Sequence, residues 1–211
     1  MEIAKVAYQG RATPLVSVVP PGVPDAIDLN ELYPYKPEEA KRLLKELGFD
    51  NKNPLKFTIL ISNADPTMAD IATLVKNQMA KIGVEAKINL VDTTATTDRV
   101  LVKHDFEMYV STFGTLADIN QRSVSFFKGH QSDYLGMDDP KLEEMVHQWR
   151  RTIEPDKRKA ISADMQRLLA DQLYWVNATG YPFYQAYRNN VKDYPFYNRA
   201  YLFLEKTWLD K

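Results

Sequence analysis

The sequence predicts an α/β fold, a mixed sheet flanked by helices, and two observations carry that prediction. Residues 36–91 alternate helix, strand, helix, strand in their hydrophobic periodicity. Both helices in that stretch are also punctuated at their ends. Pro37 and Pro66 fall in the first turn, where a missing N–H loses no intrahelical partner. Gly48 and Gly83 fall where a left-handed residue closes a helix.

Taken in order, residues 2–8 read as a short helical stub. Residues 10–36 carry Pro14, Pro20, Pro21, Pro24 and Pro34, a density that forbids a long helix or a central strand, so an irregular path is expected. Helix 37–47 places Ala40, Leu43, Leu44 and Leu47 on one face. Strand 55–61 is apolar on both sides, as a buried strand should be. Helix 66–82 aligns Ile71, Leu74, Val75, Met79 and Ile82. Strand 84–91 alternates Val84, Ala86, Ile88 and Leu90 with Glu85, Lys87 and Asn89, the period-2 pattern of a half-exposed strand. Helix 66–82 is then the crossover between two parallel strands.

Beyond that unit, a helix is expected over 95–103 and an aromatic, β-branched strand over 106–114. A helix over 119–128 and a loop over 129–140 follow. Asp139 caps the next helix with Pro140 at its first position, and Leu142, Met145, Val146 and Trp149 form its apolar face. Pro155 opens another, faced by Ile161, Met165, Leu168 and Leu169. The tail from Tyr174 is dense in aromatics and reads as antiparallel strands that bury them, with a sugar- or peptide-binding surface as the other reading. The organisation is a short helix and extended Pro-rich segment over 1–36, then one α/β lobe over 37–211.

Composition removes several functions. The net charge of −1 has mixed signs, so nucleic acid is not an expected partner. Zero cysteines exclude disulfides, Cys-ligated zinc and Cys nucleophiles. No apolar run approaches the roughly 20 residues of a membrane helix. The N-terminus has no basic segment followed by an apolar one, so no signal peptide is read there.

The search for chemistry returns little. His104, His130 and His147 have no zinc-binding spacing, and no P-loop, GxSxG or GxGxxG occurs. Asp138–Asp139 and Glu143–Glu144 read as helix N-terminal charge. The basic run 150–159 is interrupted by acids and reads as a solvated face. No catalytic residue, metal or cofactor is expected.

The punctuated unit carries a resemblance. A helix ending LLKELGF (43–49), a strand, a helix ending KIGV (81–84) and a second strand resemble the second lobe of the solute-binding proteins serving ABC importers of oligopeptides, dipeptides and nickel, extracellular solute-binding protein family 5. Glu2 to Pro14 resembles a helix deep inside such proteins, of the type REEIAKVAYxGxAxP. SDYLGMDDPKLEEMV (132–146) and YPFYQAYRNNVKD (181–193) resemble later stretches.

The resemblance implies lobe 2 of a type II periplasmic-binding-protein fold, in a fragment of a two-lobed parent whose N-terminal lobe is missing. It implies an extracytoplasmic or periplasmic parent that closes over a peptide or other small-molecule ligand and presents it to ABC permease subunits. A solute-sensing or interaction module using the same lobe is the alternative. Exposure of the surface facing the absent lobe would allow self-association.

The resemblance also places a site at TFGTLADIN, residues 112–120. The corresponding family stretch reads S-G-W-x-x-D, with the aromatic ring near the ligand and, in peptide binders, the Asp on the ligand's α-ammonium group. Here Thr115 stands at the Trp spacing and Phe113 two residues earlier. Phe113, Gly114, Thr115, Leu116, Asp118 and Asn120 are therefore the candidate ligand contacts, with Tyr134 from the later loop. Asp118 has two readings, an anion for an ammonium group or the N-cap of the next helix. Tyr134 likewise reads as pocket-lining or as packing.

Overall fold

Three parallel strands form the central sheet in the order β3-β2-β4: β2 (Lys56–Ser62), β3 (Glu85–Val91) and β4 (Met108–Tyr109). The chain is seen here as a computed structural model that describes residues 2–114, 118–123, 125, 127–136, 138–181, 184–195 and 204–210. β2 is central, with Ile59, Leu60 and Ile61 almost wholly buried, so the run that is apolar on both sides is covered on both sides. Helix α3 (Pro66–Ala80) lies against the sheet through Met68, Ile71 and Ala72. The short α1 (Glu2–Val6) region adds Ile3, Ala7 and Tyr8 to that core.

A second core is helical. In α6 (Pro140–Arg151), Leu142, Val146 and Trp149 are buried; in α7 (Pro155–Asp171), Met165 and Leu169 are. They enclose Val18 and Val19 of the Pro-rich segment and Ile119 of the short α5 (Ile119–Ser123). Each such side chain contributes about 1.5–3 kcal/mol relative to exposure. That burial explains how a segment without regular structure holds one path.

A polar clamp holds it as well. Gln166 of α7 is fully buried. Its Oε1 accepts the Ser17 hydroxyl at 2.7 Å and the Ile27 amide at 3.3 Å. Its Nε2 donates to the Asp25 carbonyl at 2.8 Å and to the Ser162 carbonyl at 3.2 Å. The segment also makes β1 (Thr13–Pro14), antiparallel to β5 (Thr179–Gly180).

Helix ends follow the local chemistry. Gly48 and Gly83 both have φ +85°, as a left-handed closure requires. Asp65, Asp92 and Asp139 are N-caps of α3, α4 (Thr93–Thr97) and α6. Asp139 accepts from the Lys141 and Leu142 amides at 3.0 and 3.1 Å. Asp139→Ala should cost about 1 kcal/mol of stability, read as a lower urea midpoint at unchanged slope.

Several expectations are corrected. α2 (Pro37–Glu46) forms, yet none of its residues is buried and Leu43 is 46% and Leu47 74% exposed. Its ladder of Lys41, Arg42, Glu38, Glu39 and Glu46 ion pairs supports the helix locally instead. The strand expected over 106–114 pairs only at Met108–Tyr109, because β4 is an edge strand that leaves the sheet after Val110. The helix expected over 95–103 begins at Thr93 and ends in a π-turn, Asp98–Val102, which buries Val100 and exposes Val102. Of the helix expected over 119–128, Ile119–Ser123 is helical, and Val124 and Phe126 lie outside the described residues.

The tail departs most. Its described strands are two-residue pairs, β5 and the antiparallel β6 (Val191–Lys192) with β7 (Trp208–Leu209). Tyr181, Tyr184, Tyr187 and Trp208 are exposed, not buried. The basic run is not simply solvated either. The Arg158 guanidinium lies 4.0 Å from the Trp149 ring centroid, and the Arg150 guanidinium lies 5.3 Å from that of Phe127.

Candidate ligand-binding site

Because all three strands of the sheet are parallel, their carboxyl ends lie at one edge, where α/β sheets bind ligands. A cleft of about 220 Å³ opens there. Ser62 ends β2 and Asp65 follows it, Thr93 and Thr97 follow β3, and Ser111 and Thr112 follow β4. Seven of its eleven lining residues carry a hydroxyl; those of Thr96, Thr97 and Ser111 donate to the Asp92, Thr93 and Thr112 carbonyls and keep acceptor capacity. The Asp65 carboxylate is engaged as a cap, accepting the Thr67 amide at 2.8 Å.

A larger hollow, about 340 Å³, lies on the sheet face beside Thr58, Leu60 and Asn89. Its polar side chains are engaged with neighbours. Glu107 accepts the Thr58 amide at 2.7 Å, Arg99 pairs with Asp105 at 3.1 Å, and His104 Nε2 donates to the Asp133 carbonyl at 2.9 Å. Size favours that hollow; position at the carboxyl ends of the strands favours the cleft, and we place the candidate site there.

Past Thr112 the chain crosses from the sheet core to the helical core, and an aromatic wall stands at the crossing. The Phe113 ring centroid is 4.3 Å from that of Trp175 and 5.2 Å, edge-on, from that of Tyr134. The Arg122 guanidinium lies over Phe113 at 4.3 Å and over Trp175 at 5.3 Å. Burial lowers the Arg122 pKa from its ordinary value, with Tyr134 acting in the opposite sense.

Tyr134 is held by its neighbour. Asp133 is buried, and its carboxylate accepts the amides of Gly129 at 3.0 Å, Leu135 at 3.1 Å and Gly136 at 2.8 Å. Gly136 has φ +60°, and a Cβ there would meet the His104 ring at 3.1 Å. The loop is therefore drawn tight around one carboxylate, with Tyr134 between its contacts.

Of the seven residues singled out by sequence, Phe113 and Tyr134 come together in this wall. Gly114 turns its carbonyl toward Arg122 at 3.5 Å. Asp118 accepts the Gln121 amide at 3.2 Å, the geometry of an N-cap. Asn120 is tied to α6 instead, its Oδ1 accepting from Arg150 Nε at 2.6 Å. Thr115 and Leu116 lie outside the described residues. Sequence reading missed Trp175, Arg122, Asp133 and the hydroxyl groups after β2 and β3. Only the last had a signal, since every parallel strand contributes its carboxyl end.

Residues 1–133 match the family model described as bacterial extracellular solute-binding proteins, family 5 Middle. The chain belongs to that family. Among curated family relatives, the di/tripeptide-binding protein 2 of Pseudomonas aeruginosa (strain UCBPP-PA14) is 26% identical over 197 residues, covering 90% of this chain and 37% of that protein. The glutathione-binding protein GsiB of Escherichia coli (strain K12) is 32% identical over 113 residues, covering 54% of this chain and 22% of that one. The chain therefore spans well under half of these family members. A solved dipeptide-binding protein from Pseudoalteromonas sp. SM9913, in complex with Met-Leu, superposes with a TM-score of 0.86 at 16% identity, over 99% of this chain and 42% of that one, which shows the shared fold.

Proposed function

We propose that the gene product carrying these residues captures a small peptide, or a solute of similar size and polarity, outside the cytoplasm and delivers it to the permease subunits of an ABC importer. The carrying observation is the hydroxyl-lined cleft at the carboxyl ends of three parallel strands, continued by the Phe113–Tyr134–Trp175 wall. Hydroxyls suit the amide groups of a peptide backbone, and aromatic faces suit its side chains. Family membership supports the same reading, as do the names of the di/tripeptide and glutathione binders among the relatives.

The cleft's volume, about 220 Å³, falls below the roughly 300–1,000 Å³ of complete ligand pockets. Enclosing a ligand would need a second surface, as hinge closure of two lobes supplies. Nothing in this mechanism asks for chemistry on the ligand. The exposed tail tyrosines support self-association when that second surface is absent.

A thermal melt of the gene product with a pooled di- to pentapeptide mixture tests the capture. At a hundred times Kd, stabilisation of about 2.7 kcal/mol is expected, a midpoint rise of roughly 5–10 °C. An unmoved cooperative melt would reject peptides as the ligand class. Asp118 is tested separately. Asn can keep the cap while removing the charge. If Asp118 meets a ligand ammonium, Asp118→Asn should weaken binding of peptides with a free amino group about tenfold by calorimetry. Unchanged affinity would leave Asp118 as a cap alone.

A further inference from the structure

We propose that the outer edge of β3 receives a second copy of this chain, antiparallel about a two-fold axis at Ala86, so that Glu85 of each copy meets Lys87 of the other. β3 ends the sheet, and among the described residues β2 is its only strand neighbour. Its phase is fixed at both ends. The Glu85 amide donates to the Leu55 carbonyl at 2.9 Å, and the Val91 carbonyl accepts the Asn63 amide at 2.9 Å. Glu85, Lys87, Asn89 and Val91 therefore turn their backbone groups toward β2, and Ala86, Ile88 and Leu90 turn theirs outward.

Outward amides and carbonyls in a row are a template for another strand. The shape of β3 does not blunt that edge: EAKINLV holds no proline or glycine, and its register with β2 runs from end to end without a bulge. Its charge is what selects a second copy over an unrelated strand. Glu85 and Lys87 stand two residues apart on one face, both exposed. With Ala86 on the axis, each Glu85 lies across from Lys87 of the other copy, and no like charges stand directly opposite. Glu85 already holds Lys56 of β2 at 3.1 Å, so the row would run from Lys56 through Glu85 to the second copy's Lys87.

The other face of the strand fits the same register. Ala86 and Ile88 pack under α3, and Leu90, of the same parity, is 57% exposed. About the Ala86 axis Leu90 comes opposite Ile82, just past the end of α3. Backbone bonds would run both ways between the Ala86 residues and from each Ile88 amide to the Val84 carbonyl opposite. The Val84 amide is already taken by the Met79 carbonyl at 3.1 Å. A single strand pair covers less than the roughly 1,200–2,000 Å² of a stable interface, so the dimer is weak, with a dissociation constant of about 0.1 mM.

Sedimentation velocity of the gene product from about 10 µM to 1 mM tests this, with amide-resolved hydrogen exchange at both ends of that range. A reversible monomer–dimer equilibrium is expected, and the Ala86 and Ile88 amides should exchange more slowly as the dimer forms. Glu85→Lys and Lys87→Glu should each raise the dissociation constant about tenfold, since each puts like charges opposite at both ends of the pair. The double variant Glu85→Lys/Lys87→Glu should return to within about twofold of wild type, because the swap keeps every pair. A monomer throughout the range overturns the proposal. So does a dimer that the swap does not restore, or one whose Ala86 and Ile88 amides exchange as fast as in the monomer; the contact would then lie elsewhere, as at the exposed tail tyrosines. Peptide capture stands or falls independently of these outcomes.

Discussion

Gln166→Leu should remove about 3 kcal/mol or more from folding stability, although it trades a buried polar side chain for an apolar one of similar size. Three partners outside α7 depend on this amide: the Ser17 hydroxyl, the Ile27 N–H and the Asp25 carbonyl. Each buried group left unpaired costs about 1–3 kcal/mol, and the added apolar transfer recovers only part of that. For a chain of this size the thermal midpoint should fall by roughly 6–12 °C. The loss should appear locally too, as faster amide exchange over residues 17–27 than over β2. A midpoint within a degree of wild type would mean that Val18 and Val19 alone hold the segment.

Asp133→Ala should be comparably damaging, at about 3 kcal/mol, and should also loosen the site. The carboxylate gathers three backbone amides, and hydrogen bonds to a charged acceptor are worth about 1.5–3 kcal/mol each before the loop relaxes toward water. Asp133→Asn keeps one acceptor oxygen and should lose about half as much. Because Tyr134 follows directly, the alanine variant should bind peptide more weakly even at temperatures where it stays folded. Stability lost with affinity unchanged would show that Tyr134 is a packing residue, the other reading of it.

The parts of the fold legible in the sequence are those whose signal is local and periodic. The β2-α3-β3 unit shows this best: the closing glycines, the prolines and the apolar stripes each follow from nearest-neighbour chemistry, and the parallel pairing follows from the crossover. Periodicity does not say what a face packs against. The stripe Ala40, Leu43, Leu44, Leu47 is as regular as that of α6, yet only the latter is buried. Composition misleads in another way. Residues 106–114 have strand-like side chains throughout, but an edge strand that must cross to a second core keeps only two paired residues.

Gln166, Arg122 and Trp175 were illegible for a common reason. A polar or aromatic residue becomes a clamp or a wall only through neighbours far along the chain; Gln166 and Ser17 lie 149 residues apart. Asp118 shows the intermediate case. Its position one residue before a short helix made a cap readable, and the cap is what forms. Whether it also meets a ligand depends on a second surface that no local pattern encodes.

The central claim is that the solute lies against the carboxyl edge of the parallel sheet. Amide-resolved NMR of the gene product, titrated with the free di- and tripeptide pool, tests it most directly. The predicted result is saturable shifts clustered at Ser62–Asp65, Thr93–Thr97 and Ser111–Phe113, reaching Tyr134 and Trp175. Shifts clustered instead at Thr58, Asn89, Arg99 and Glu107, around the larger hollow on the sheet face, would contradict it.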